Sequence, residues 1–119
     1  MDETLEQLRR LCLALPEATE RTSHGHPAWF VREKPQFASY HHGHHDVRPA
    51  LWCAAPPGAQ EAFIATRPEH FFRPPYVGHR GWLGVYLDGD VDWDDVTALL
   101  HDAYVTVAPK RLAMLVGDR

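Results

Sequence analysis

The chain has 119 residues, a formal net charge of −4, and a composition of 45% hydrophobic and 24% charged residues. This length fits one domain, which we expect to span residues 1–119. The negative charge excludes a protein that attracts phosphates over its whole surface, so any contact with nucleic acid must use a local basic patch. No apolar run approaches the length of a membrane span and no signal-peptide region follows Met1, so we expect a cytoplasmic protein.

The first half of the chain combines one helical pattern with several short strands. Apolar residues recur at helical spacing over residues 3–14, which predicts an amphipathic helix that ends before Pro16. Glu33-Lys34-Pro35 separates two aromatic-rich runs, and this arrangement predicts a β-hairpin. The three strands predicted in this half cover residues 28–32, 36–40 and 50–55.

The second half begins with a short helix predicted at 59–66, after the break at Pro56-Pro57-Gly58. Prolines and glycines make the segment from Arg67 to Gly81 irregular. A last strand is predicted at 82–87. Asp92 is placed to cap a helix that extends to Val107. A further short helix is predicted at 110–116.

Strands that follow one another without βαβ alternation, with helices at both ends, predict an α+β fold. We expect an antiparallel sheet with the N-terminal and C-terminal helices packed on one face. The two cysteines, Cys12 and Cys53, lack a CxxC spacing and are expected to be buried free thiols.

Four segments together resemble the MmcQ/YjbR family of small bacterial proteins. They are Leu11 to Pro16, Phe37-Ala38, Tyr86-Leu87-Asp88-Gly89, and Asp102 to Val107. The likeness covers nearly the whole chain, and its anchor is the strand and turn from Trp82 to Gly89 followed by a helix that contains Tyr104. The resemblance implies an α+β fold with an antiparallel sheet and DNA binding through β-hairpin wings. It brings no set of catalytic residues, and the histidine-dense loop of this chain is a departure from it.

Basic and aromatic residues are interleaved from Arg67 to Trp82, a segment that contains three arginines and one acidic residue, Glu69. Five aspartates follow between Asp88 and Asp95. Arginines among aromatic rings suit contact with phosphates and stacking of bases or planar ligands. The candidate nucleic-acid contacts are Lys34, Arg73, Arg80 and Trp82. In the alternative interpretation the aromatic rings pack into the core and the arginines only solvate the loop.

Histidines precede the first strand of the predicted hairpin and follow its second strand. If Lys34-Pro35 forms the turn, His24 lies near His45 and His26 lies near Gly43. Imidazoles on one face could then share zinc or nickel. The candidate ligands are His24, His26, His42, His44 and His45. The alternative is a solvated hairpin end with at most adventitious metal, and we predict no resident cofactor.

No motif in the chain specifies a reaction. Ser23 and Ser39 lie near histidines in the sequence, but no Gly-x-Ser-x-Gly motif or phosphate-binding glycine loop accompanies them. We therefore predict that the protein is not an enzyme. The leading hypothesis is a DNA-binding module that uses the β-hairpin and the basic-aromatic loop. A domain that binds a planar small molecule or a protein is the alternative, and it requires an apolar concavity beneath that loop. A metal-dependent enzyme would depend on the histidines alone.

Overall fold

The computed structural model describes residues 2–43 and 47–117 and has an α+β fold. Within these residues the helices are α1 (Glu3–Leu13), α2 (Ala59–Thr66), α3 (Trp93–Val107) and α4 (Lys110–Val116). The strands are β1 (Ala18–Ser23), β2 (His26–Val31), β3 (Gln36–Gly43), β4 (Val47–Cys53), β5 (Phe71–Phe72) and β6 (Leu83–Tyr86). A short 3-10 helix lies at Gly78–Arg80.

The strands form one six-stranded sheet in the order β1-β2-β3-β4-β6-β5, and every pair of adjacent strands is antiparallel. Directly opposed residues of neighbouring strands point to the same face of a sheet. One row of opposed residues crosses the whole sheet and consists of Arg21, Ala28, Ser39, Trp52, Gly84 and Phe72. The adjacent row points to the opposite face and contains Trp29, Ala38, Cys53 and Leu83.

The face that carries Trp29 and Cys53 holds the hydrophobic core, and we call it the helix face. Helix α3 packs against β3 and β4, and α1 packs against β1 and α3. Leu8 of α1 and Leu100 of α3 are buried in the same cluster as Trp29. The opposite face carries Ser39 and Trp52, and we call it the loop face.

Polar contacts fix both ends of helix α3. Asp92 caps α3, because its Oδ1 accepts hydrogen bonds from the Asp94 and Asp95 amides at 3.0 and 3.2 Å. The Tyr104 hydroxyl of α3 donates to the Pro16 carbonyl oxygen at 2.6 Å. The Asp92 cap confirms the sequence prediction, and the Tyr104 contact joins α3 to the segment that follows α1.

Helix α1 is tied to the sheet by an ion pair on the helix face. The Arg9 guanidinium donates to both carboxylate oxygens of Glu20 at 2.8 Å. The indole N–H of Trp29 donates to the same carboxylate at 2.9 Å. Because Glu20 belongs to the edge strand β1, these contacts join that strand to both the helix and the core.

The antiparallel α+β fold with helices on one face is confirmed, and α2 occupies the predicted range. No strand is predicted at 18–23, where the structure has β1. Residues 18–23 are mostly polar, which suits an edge strand with at most one buried side. A two-residue turn joins β1 to β2 at His24 and Gly25, whose φ angles are 53° and 82°. Such a pair of positive φ angles is typical of a tight hairpin turn.

Cys12 and Cys53 are buried free thiols, as predicted. Burial raises the pKa of Cys53 to about 12, so its thiol stays protonated at neutral pH. Within the described residues, none of the helices has the length and apolar character needed to cross a membrane.

Candidate functional site

The segment between β5 and β6, residues 73–82, lies over the loop face of the sheet, and we call it the covering loop. Gln60 of α2 is only 4% exposed and is hydrogen-bonded to this loop. Its side-chain amide donates to the carbonyl oxygens of Gly78 and Trp82, at 2.8 and 2.6 Å. Two buried hydrogen bonds from one side chain therefore fix the path of the covering loop.

A cavity of about 590 Å³ lies between the covering loop and the loop face. Its sheet side is formed by Ser23, His26, Gln36, Ser39, His41 and Trp52, with the turn residue His24. Its loop side is formed by Tyr76, Val77, Arg80 and Trp82. The strand alternation explains the sheet side, because Ser39 and Trp52 are directly opposed and His41 lies two residues after Ser39 on the same face.

The His41 ring is the centre of the sheet side. It stacks on Trp52 with 3.6 Å between ring centroids and 15° between planes. The His26 ring also lies against the His41 ring, with 4.0 Å between the two centroids. Burial, with a smaller effect of the nearby His26, lowers the pKa of His41 to about 3. His41 is therefore neutral at physiological pH, and its ring packs as an uncharged aromatic group against the rings of Trp52 and His26.

Ser39 Oγ lies 2.8 Å from His41 Nε2, which is the distance expected between a nucleophile and its base. A base with a pKa of about 3 accepts a proton poorly at neutral pH. In the part of the chain that the structure describes, no aspartate or glutamate lines the cavity to orient the imidazole. The pair therefore lacks the third member of a hydrolytic triad.

The histidines do not come together as the predicted hairpin register requires. Ala28 is opposed to Ser39, so His26 lies beside His41 and not beside Gly43. The difference arises because the turn is longer than two residues and the strand pair contains an irregularity between Trp29 and Phe30. The pairing shifts by two residues, which preserves the face to which His26 points.

His42 points to the helix face, where its Nδ1 lies 3.3 Å from the Tyr40 hydroxyl and 3.4 Å from Asp2 Oδ2. It is therefore separated by the sheet from His26 and His41. His44 and His45 lie outside the described residues. Over residues 2–43 and 47–117, no three His, Cys, Asp or Glu side chains are grouped as metal ligands. His24 lines the cavity from the β1–β2 turn.

Lys34, Arg73 and Arg80 are exposed. None of them forms an ion pair with a carboxylate of the described residues. Arg80 lies over the Trp82 ring, with 5.5 Å from its guanidinium carbon to the ring centroid. Cys53 is opposed both to Ala38 of β3 and to Leu83 of β6. The β2–β3 turn and the covering loop therefore leave the same end of the sheet, and we call it the basic end.

The aspartates begin at the other end of the sheet, because Asp88 lies two residues after Tyr86, the last residue of β6. Two arginines near them are paired: Arg48 with Asp88 at 2.8 Å and Arg67 with Asp95 at 3.6 Å. The chain thus carries unpaired cations on the two segments that leave the basic end and clustered carboxylates at the other end of the sheet. The net charge of −4 conceals this separation.

The aromatic residues of the predicted basic-aromatic segment divide into two groups. Tyr76 is 89% exposed, whereas Phe71 and Trp82 are each 4% exposed and belong to the hydrophobic core. Trp82 therefore differs from its predicted role as a surface contact, and a ligand reaches it only through the cavity. The alternative of core packing is correct for Phe71 and Trp82.

Gln36, Ser39, His41 and Trp52 line the cavity but are not among the predicted site residues. Period-two alternation along β3 and β4 places Ser39, His41 and Trp52 on the face opposite the core residues Ala38, Tyr40 and Leu51, and this signal is present in the sequence. Gln36 breaks the alternation, because the register shifts between the pairs Trp29–Ala38 and Phe30–Gln36. What the sequence lacks is the position of the covering loop, which converts that strand face into a cavity.

The chain is an α+β protein whose antiparallel sheet has helices on one face and the covering loop on the other. A family model described as YjbR matches residues 13–106. The chain therefore belongs to the YjbR family, which confirms the resemblance found in the sequence.

The fold is also similar to a crystal structure of Deinococcus radiodurans protein DR2400, described as having a DUF419 domain. The two chains are 20% identical, and the TM-score is 0.75. The alignment covers 97% of this chain and 88% of that chain. At this identity the similarity establishes the fold alone. A search of curated proteins finds no match.

Proposed function

We propose that this protein is a nucleic-acid-binding module, not an enzyme, and that it binds DNA through the basic end of its sheet. The observation that carries the proposal is the placement of Lys34, Arg73 and Arg80, which are exposed and free of carboxylate partners within the described residues. Unpaired cations can contact phosphates without first breaking an internal ion pair.

The β2–β3 turn carries Lys34, and the covering loop carries Arg73 and Arg80. Both segments project from the same end of the sheet, so they are arranged as two wings that would contact one backbone. Tyr76, 89% exposed in the same loop, offers a ring on which a base can stack. The carboxylates from Asp88 to Asp95 lie at the far end, where their repulsion of phosphate is weakest for this orientation. The cytoplasmic location predicted from the sequence would place the module with bacterial DNA.

The test is fluorescence anisotropy with a labelled duplex and the same sequence as a single strand, measured at several salt concentrations. Arg73→Ala/Arg80→Ala should weaken binding at ~50 mM salt by about tenfold or more. It should also flatten the salt dependence by about 1.8 in slope, because two phosphate contacts are lost. The loss should be similar for unrelated sequences, since phosphate contacts carry no sequence information.

The matched control is Arg48→Ala/Arg67→Ala, which removes the same charge from two arginines that are paired with aspartates. This control should bind nearly as well as the unmodified protein. Equal weakening in both double variants would mean that only net charge matters, and it would contradict the proposed basic end. Absence of binding by the unmodified protein at ~50 mM salt would remove the proposal itself.

The second candidate function is binding of a small molecule, and the cavity beneath the covering loop favours it. Its volume of about 590 Å³ lies within the range of known ligand pockets, and its walls are largely aromatic.

A further inference from the structure

We infer that the cavity beneath the covering loop is a binding site for a small planar aromatic molecule that carries one anionic group. The site shares Arg80 with the proposed phosphate contacts, but Lys34 and Arg73 do not line the cavity, and the contacts that would hold the ligand do not involve DNA. The inference therefore does not depend on DNA binding.

The shape and composition of the walls select a flat ring. The rings of His41 and Trp52 are stacked face to face, with 3.6 Å between centroids and 15° between planes, so the sheet side presents the outer face and the edges of this stack as an aromatic surface. Tyr76 and Val77 face this surface from the covering loop. A planar ligand between the two sides would contact this stack by an offset stack or an edge-to-face arrangement, the two geometries that aromatic groups prefer. The volume of about 590 Å³ leaves room for two fused rings and a substituent.

The charge of the walls selects an anion. Arg80 is the permanently charged residue of the lining, and no carboxylate of the described residues lies beside it there. A guanidinium binds a carboxylate or phosphate by charge-assisted, often bidentate, hydrogen bonds. Because His41 has a pKa of about 3, it adds no positive charge at neutral pH and contributes only its ring. Arg80 is therefore the anchor for the anionic group.

The covering loop is held in the position that this ligand needs. Gln60 fixes the carbonyl oxygens of Gly78 and Trp82 on either side of Arg80, at 2.8 and 2.6 Å. The Arg80 side chain is further placed by its contact with the Trp82 ring. A preformed site of this kind loses little ordering entropy when it binds.

The experiment uses three probes of equal shape and different charge: 2-naphthoate, 2-naphthylmethanol and 2-naphthylmethylamine. Isothermal titration calorimetry measures their dissociation constants on the whole protein. We expect 2-naphthoate to bind about tenfold more tightly than the neutral alcohol, and the amine to bind more weakly than both. Arg80→Gln should remove the preference for the anion and leave the affinity for the alcohol nearly unchanged.

Two further variants separate the ring contacts from the charge. Trp52→Leu should weaken the anion and the alcohol together, because both would lose the stacking surface. Arg73→Gln is the matched control, since it removes an exposed arginine of the same loop that does not line the cavity. It should leave 2-naphthoate binding unchanged while it weakens DNA binding, which distinguishes failure of this inference from failure of the proposed function.

Several results would overturn the inference. One is the absence of saturable 2-naphthoate binding up to ~5 mM, which corresponds to only about −3 kcal/mol of binding free energy. Another is equal affinity for all three probes. A third is the same loss in Arg73→Gln as in Arg80→Gln.

Discussion

The two faces of the sheet are built from alternate residues of the same strands, yet they have different roles. Leu51 points to the helix face and is fully buried, whereas its neighbour Trp52 points to the loop face and lines the cavity. Ala38 and Ser39 divide in the same way. The helix face is packed by two helices with apolar side chains, and the loop face is covered by one loop that leaves a cavity. One face of the sheet therefore contributes the packing that stabilises the fold, and the other face carries the candidate binding site.

The sharpest way to break this comparison is to truncate the adjacent residues Leu51 and Trp52 separately. Leu51→Ala should reduce the free energy of unfolding by about 3 kcal/mol, because it opens a hole in a close-packed core. Trp52→Ala should cost only about 1 kcal/mol, although more atoms are removed, because the ring is partly exposed, lines the cavity and loses mainly its stack on His41. Urea denaturation measures both values.

Equal destabilisation by the two truncations would mean that the loop face is part of the core. A loss of 2-naphthoate binding should accompany Trp52→Ala at a temperature where the variant is folded. Leu51→Ala, measured under the same folded conditions, should bind 2-naphthoate like the unmodified protein.

The attachment of the covering loop gives a second, intermediate test. Gln60→Leu removes two buried hydrogen bonds and leaves the Gly78 and Trp82 carbonyl oxygens without their donor. The expected cost is about 2 kcal/mol of unfolding free energy. Trypsin should also cleave faster after Arg80, because the loop is released while the helix face stays packed.

Glu61→Leu is the control for this test, since Glu61 is exposed on the same helix one residue away. Its stability and its rate of trypsin cleavage should match those of the unmodified protein. If Gln60→Leu and Glu61→Leu behave alike, the covering loop is held by other contacts.

The smallest expected effect is the pH dependence that His41 gives to stability. Burial and the nearby His26 lower its pKa to about 3 from the ordinary 6.5, so the unfolded chain binds a proton that the folded protein does not. This contribution to stability is complete above about pH 6.5 and is lost as the pH falls toward 3. The upper limit of the slope is about 1.4 kcal/mol per pH unit, and solvent screening of the partly exposed ring reduces it.

Urea unfolding at pH 7, 6 and 5 compares the unmodified protein with His41→Gln. The unmodified protein should lose more stability over this interval, because the variant has no imidazole to protonate. The titration of carboxylates is common to both proteins and cancels in the difference. Parallel curves for the two proteins would contradict a buried neutral His41.

Much of the fold follows from local patterns. The Asp92 cap, the apolar spacing of α1 and the β2–β3 hairpin are each specified by neighbouring residues, and the structure has all three. The edge strand β1 is missed because its residues are polar, and its stability comes from pairing with β2 and from the contact between Arg9 and Glu20. The predicted register of the β2–β3 hairpin is wrong by two residues, because the length of a turn depends on contacts beyond the turn itself.

The site is predicted in part. Lys34, Arg73 and Arg80 are predicted as phosphate contacts, and in the structure they are exposed cations on two segments that leave the same end of the sheet. His26 and His41 meet, but His42 does not join them, because adjacent strand residues point to opposite faces. Trp82 is apolar enough to enter the core, and burial of its ring outweighs any gain from exposing it to a ligand.

The amino-acid sequence by itself determined the helices, the antiparallel class of the sheet and the alternation that separates its two faces, because these depend on periodicity and capping within a few residues. Only the tertiary structure decided that the covering loop lies over Ser39, His41 and Trp52, and that Arg73 and Arg80 form no ion pair with a carboxylate of the described residues. Those outcomes depend on strand order and on two hydrogen bonds from Gln60, and such contacts between distant segments leave no local pattern in the chain.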